Sequence, residues 1–178
     1  WNLISELSPS DLSDNHYFGW AVGMDIGGRI LAASSIGTAP ADDILASWTG
    51  SVYVFSADEA GSTWAESTKL GASDAEAGMY FGWSIALALP YLVVGTKGHG
   101  AYVFTTHDGG SSWNASAKLT KTGDGEDDDS GSDKFGYAVA ASSSALAIVG
   151  AHGDERAFIF RRLQGSWDLV DTLAPSSG

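Results

Sequence analysis

Trp64-Ala65-Glu66-Ser67-Thr68-Lys69-Leu70 decides how this chain is organised, because its two anchors, a Trp and a Leu six residues later, occur four times. They stand at Trp1–Leu7, Trp64–Leu70, Trp113–Leu119 and Trp167–Leu173. Between them runs a second unit, Phe-Gly followed by Trp or Tyr, at Phe18-Gly19-Trp20, Phe81-Gly82-Trp83 and Phe135-Gly136-Tyr137. The period is 49 to 63 residues. Self-similarity on that scale marks arrays in which each unit buries a face against its neighbours.

Around these anchors the chain reads as strands. The first unit gives Phe18–Met24, Ile30–Ser34, Ser51–Ser56 and Trp64–Leu70. The second gives Phe81–Leu87, Tyr91–Gly95, Ala101–Thr105 and Trp113–Leu119, and the third Phe135–Ala141, Ala145–Gly150, Ala157–Arg161 and Trp167–Leu173. No stretch keeps a 3.6-residue apolar spacing, so almost no helix is expected. First strands hold small residues (Ala21, Val22, Gly23; Ala138, Val139, Ala140), which suits a crowded position near an axis. Second strands are unbroken apolar runs such as Leu92-Val93-Val94, as when both faces are buried. Third strands alternate, placing Tyr53 with Phe55, Tyr102 with Phe104 and Phe158 with Phe160 on one face. Fourth strands are polar apart from the anchors and a few neighbours. Small inside, aromatic further out and polar at the rim describes the blade of an all-β, four-stranded antiparallel β-propeller. The expected blades are 18–70, 81–119 and 135–173, with 1–7 as the outer strand of a preceding blade.

The spacings locate two insertions. Phe-Gly to the next Trp takes 46, 32 and 32 residues, and each Trp to the next Phe-Gly takes 17, 17 and 22. The extra residues fall in 37–50, between second and third strands, and in 122–132, between one blade and the next. In an up-and-down blade these two connections lie at the same end, and repeat arrays often bind on the face that carries their insertions.

Composition narrows the function. The 178 residues carry 44% hydrophobic residues and seven Trp, enough for a sizeable core. A net charge of −13 argues against nucleic acid and anionic membrane as partners. There is no Cys, so the compartment cannot be read from disulfides. Ile85–Val94, the longest apolar candidate, falls short of the roughly 20 residues of a spanning helix and contains Pro90. The chain starts at Trp1 without a charged-then-apolar leader, so a processed or excised piece is expected.

The units resemble the FG-GAP repeats of integrin alpha-subunit propellers. The Phe-Gly occurs three times, and the Gly-Ala-Pro part is matched by Val94-Gly95-Thr96 and Ile148-Val149-Gly150-Ala151, drifting to Ala33-Ser34-Ser35 in the first unit. The resemblance implies a propeller, usually of seven blades, in secreted or surface proteins. Seven blades of this size come to about 380 residues, so a segment of a longer propeller is expected. The calcium loops of such repeats, between first and second strands, are reduced here to Asp25–Gly28, Leu87–Pro90 and Ser142–Ser144. One acidic residue among them does not supply the several carboxylates calcium takes.

Other candidates stand outside the repeat. Thr106-His107-Asp108-Gly109-Gly110-Ser111-Ser112-Trp113 is similar to the Asp-box turn of sialidases and other propellers, with a looser copy from Ser56 to Trp64. Such turns cap backbone groups locally. A sialidase-like site needs an arginine triad, whereas Arg29, Arg156, Arg161 and Arg162 are the only arginines and the last three are bunched, so no enzyme is expected. Asp124, Glu126 and Asp128 alternate as in a calcium loop, although Gly131 and Phe135 break the EF-hand spacing; Ca2+ there competes with a solvated acidic loop. Asp42, Asp43, Ile44 and Trp48 of the first insertion, with Asp127 and Asp129 of the second, are candidate partner contacts. The competing role for Ile44, Leu45 and Trp48 is to fold back over the blade end. The four histidines sit in turns without metal-like spacing. Asn114-Ala115-Ser116 is an N-glycosylation sequon. Together these features predict a non-catalytic propeller segment that binds a protein or glycan through its insertion face, in an extracellular, cell-surface or organelle-lumen setting. The alternative is a structural or accessory subunit of a larger assembly.

Overall fold

The computed structural model describes residues 2–11, 16–37, 48–121 and 133–176. Among these residues the chain forms strands and no helix. The strands are β1 (Phe18–Met24), β2 (Ile30–Ser35), β3 (Ser51–Ala57), β4 (Trp64–Leu70), β5 (Ser84–Ala88), β6 (Tyr91–Gly95), β7 (Ala101–Thr105), β8 (Asn114–Leu119), β9 (Phe135–Ser142), β10 (Leu146–Ala151), β11 (Arg156–Leu163) and β12 (Ser166–Leu173). They pair in sequence order into three four-stranded antiparallel sheets, β1 to β4, β5 to β8 and β9 to β12. These are the three blades read from the repeat, and the chain is an all-β propeller segment.

The Phe of each Phe-Gly packs edge-on against the two aromatics of the third strand in its own blade. Phe18 meets Tyr53 and Phe55, Phe81 meets Tyr102 and Phe104, and Phe135 meets Phe158 and Phe160, at centroid distances of 5.3 to 6.3 Å. Edge-to-face packing at this range suits the ring quadrupoles. Pairing of third with fourth strand shifts register just before the outer aromatic in every blade, between Val54 and Phe55, Val103 and Phe104, and Ile159 and Phe160. The glycine after the Phe is needed for two reasons at Gly82. Its φ is +92°, and an added Cβ would lie 2.5 Å from the Ser34 side chain of the first blade.

Blades stack through two cores. Between the first and second lie Ile30, Ala32, Val52, Val54 and Leu70 against Phe81, Leu92, Val94, Tyr102 and Phe104. Between the second and third lie Tyr91, Val93, Val103 and Leu119 against Phe135, Val149, Phe158, Phe160 and Trp167. Alternate residues of β6 therefore serve opposite cores, which is why it is apolar throughout. The small first strand also has its reason, since a Cβ on Gly23 of β1 would touch Ile85 of β5 at 3.0 Å.

Two expectations change. Residues 2–9 form no strand, and Leu3 and Ile4 are exposed. The strand expected at 1–7 is thus not formed among the described residues 2–7. Second, β10 is not buried on both faces. Ile148 is 40% exposed and Leu173 51%, because no further sheet covers this side of the third blade among the described residues.

Candidate functional site

The residue after each Phe-Gly points to the same end of the sheets, and there the three meet. Trp20 and Trp83 have ring centroids 4.9 Å apart, and Trp83 and Tyr137 5.0 Å. A second row joins them, with Tyr17 5.4 Å from Trp48, Trp48 5.4 Å from Tyr80, and Tyr80 5.9 Å from Trp83. His152, in the β10–β11 turn, closes the series 4.7 Å from Tyr137. The array crosses all three blades and stays open to solvent. Trp20 is 48% exposed, Tyr17 51%, and the other aromatic rings are half-buried.

Two lysines lie on these rings. Lys97 Nζ is 4.6 Å from the centre of Tyr80 and 5.5 Å from that of Trp83, and Lys134 Nζ is 5.9 Å from that of Tyr137. Ring faces attract cations at such range.

Both insertions spring from this end. The first is left at Gly37, whose N–H donates to the His16 carbonyl, and re-entered at Trp48 and Thr49, whose carbonyls accept from Tyr80 N–H and Phe81 N–H at 2.8 Å. Trp48, one of the expected partner contacts, thus joins the array as a member of its second row, with φ +73°. The second insertion is clasped at its base. Lys121 and Asp133 flank 122–132 and pair at 2.6 Å, with Asp154 3.7 Å from the same ammonium. Asp133 is 2% exposed and also accepts from Phe135 N–H. Asp42, Asp43, Ile44, Asp124, Glu126, Asp127, Asp128 and Asp129 lie outside the described residues. Among the described residues no three His or acidic side chains gather as a metal site. Asn114 is exposed at the start of the outer strand β8.

The Asp-box turns are local caps. Asp58 accepts from Ser62 N–H and from the amide and hydroxyl of Thr63, and these bonds hold its pKa down to about 2, the Thr63 hydroxyl foremost. Asp108 is held well below the usual range by the Ser112 hydroxyl at 2.6 Å, with the Ser112 amide and Thr106 hydroxyl adding to it. Trp113 Nε1 donates to the Gly110 carbonyl.

A second repeated acid escaped the reading of the sequence. Asp11 accepts from Tyr53 OH at 2.7 Å and Lys69 at 2.5 Å, and Asp74 accepts from Tyr102 OH at 2.6 Å and Lys118 at 2.9 Å. The Lys69 bond, then that of Tyr53, lowers the Asp11 pKa. For Asp74 burial works the other way, and the bonds from Tyr102 and Lys118 outweigh it. The signal was an Asp four residues after a repeated Leu, at Leu7 to Asp11 and Leu70 to Asp74.

The repeat signature and its fold agree with what comparison finds. The FG-GAP repeat family matches residues 1–55 and 64–111, more than half of the chain. The chain belongs to the FG-GAP repeat family. Among solved structures, this FG-GAP chain is similar to Sqt1 of Saccharomyces cerevisiae (TM-score 0.59, 10% identity, 90% of this chain and 36% of that one). It is likewise similar to Sqt1 from Chaetomium thermophilum (TM-score 0.57, 17% identity, 93% and 37%). The FG-GAP chain spans little more than a third of either, and at these identities the likeness concerns the fold alone. No curated protein matches it.

Proposed function

We propose that the chain is a non-catalytic recognition module that captures a protein or glycan partner on the face carrying the insertions. The observation that supports this most is the half-exposed aromatic array from Tyr17 to Tyr137 on that same face. Large rigid aromatics offer contact area at low entropic cost, and their burial dominates interface energetics. Asp42 and Asp43 of the first insertion, with Asp127 and Asp129 of the second, are the acidic partner contacts this reading calls for. Replacing residues 38–47 by a short turn, with Trp48 to Gly50 kept because they bond to the next blade, tests the reading. The expected result is loss of the partner captured by the immobilised wild-type chain, with the melting temperature within about 3 °C. Undiminished capture by the shortened chain would overturn it.

A further inference from the structure

Charge pairing on this chain is uneven in a way that points to a ligand. The chain holds 22 acidic residues against nine basic ones, so carboxylates outnumber the cations available to pair with them. Of the five lysines, Lys69 pairs with Asp11, Lys118 with Asp74, and Lys121 with Asp133 and Asp154. Lys97 and Lys134 have no carboxylate partner among the described residues, and they are the two that lie on the aromatic array. They flank the Trp83–Tyr137 pair, Lys97 against Trp83 and Lys134 against Tyr137.

Two of the six tyrosines hydrogen-bond to acids through their hydroxyls. Tyr53 and Tyr102, inside the blades, give their hydroxyls to Asp11 and Asp74. Tyr80 and Tyr137, on the array, give theirs to no acceptor among the described residues. A half-open aromatic pair is therefore bracketed by two ammonium groups and two hydroxyls that have no acidic or hydrogen-bond partner among the described residues.

From this, and resting on the recognition reading above, we infer that the Trp83–Tyr137 pair binds a carboxylated sugar residue. The C–H face of a pyranose lies on the rings, its carboxylate pairs with Lys97 or Lys134, and its hydroxyls bond to Tyr80 and Tyr137. A charge-assisted hydrogen bond from an ammonium to a carboxylate is among the stronger polar contacts. The net charge of −13 selects for a single carboxylate, because the repulsion of the whole molecule grows with each further negative charge on the ligand. Polyanions and acidic peptides are disfavoured on that ground.

The test uses the full chain, calorimetry and Trp fluorescence, with glucuronate- and sialate-terminated disaccharides, each beside its own methyl ester. The acid of at least one pair is expected to bind about tenfold more tightly than its ester, the worth of one hydrogen bond to a charged group. Lys97→Gln or Lys134→Gln should erase that preference, the arginine variant at the same position should restore it, and Lys118→Gln on the outer strand should not affect it. Equal affinity for acid and ester, an acid preference that survives in both Lys97→Gln and Lys134→Gln, or no saturable binding of either acid up to about 10 mM overturns the inference. So does tighter binding of an acidic peptide such as Asp-Glu-Phe than of either sugar acid. Failure of both sugars, beside a 38–47 replacement that still loses its captured partner, removes the sugar and leaves the recognition face in place.

Discussion

Tyr102 ties the core between the first two blades to the crossover that joins them. Its ring belongs to the Phe81 cluster, and its hydroxyl reaches the crossover at Asp74, which Lys118 also holds. In the third blade the corresponding residue is Phe158, which makes the ring contact without the hydroxyl. Tyr102→Phe should therefore keep the packing and lose one hydrogen bond to a charged acceptor, about 1–2 kcal/mol at pH 7. The dependence on pH has a definite sign. Asp74 is lowered in the folded chain, so its contribution is present above the ordinary carboxyl value of 3.8 and is lost as pH falls through the lowered folded value. Urea unfolding at pH 7 and pH 3 should show the gap between wild type and Tyr102→Phe closing in acid; a gap that widens would contradict the assignment. The rings of these clusters were legible from the sequence because alternation in a strand fixes which side chains share a face. Asp11 and Asp74 were not, since their partners lie 28 to 58 residues away and the acids themselves sit in polar crossovers that read as turn.

At the scale of elements, the insertions differ in how they are anchored. Backbone bonds from Trp48 and Thr49 to the next Phe-Gly fix the end of the first, whereas a charge pair closes the second. The buried Asp133 makes that pair asymmetric. Asp133→Asn keeps a polar group on Phe135 N–H and leaves Lys121 near Asp154, and should cost about 1–3 kcal/mol. Lys121→Met leaves a buried carboxylate without its cation and should cost more, about 3–5 kcal/mol. Thermal unfolding of the two variants side by side checks the order, and equal losses would mean that the pair is not a closed clasp. Lengths of both insertions followed from repeat spacing alone. The convergence of Trp20, Trp83 and Tyr137 did not, because they belong to different blades and meet only through the packing of one sheet on another. Lys97 gave no signal at all in a Thr-Lys-Gly-His turn.

For the whole molecule, the two ends of the sheets are chemically distinct. One carries the aromatic array, its two lysines and both insertions. The other carries the short turns between first and second strands, where Met24, Ile26, Leu87 and Leu89 border an open cleft of about 430 Å³ with Ser142 and Ser143. Both ends expose apolar side chains, so exposure alone does not choose between them; the proposed recognition face is the one with the insertions and the two lysines that have no carboxylate partner among the described residues. The most direct test compares the affinity of the captured partner, by surface plasmon resonance, for Trp83→Ala at the first end and Ile26→Ser at the second. Recognition through the insertion face predicts at least a tenfold loss for Trp83→Ala, the scale of a buried aromatic anchor, and a change within about twofold for Ile26→Ser, with both variants folded. The reverse pattern, with Ile26→Ser abolishing binding and Trp83→Ala leaving it intact, would contradict the account.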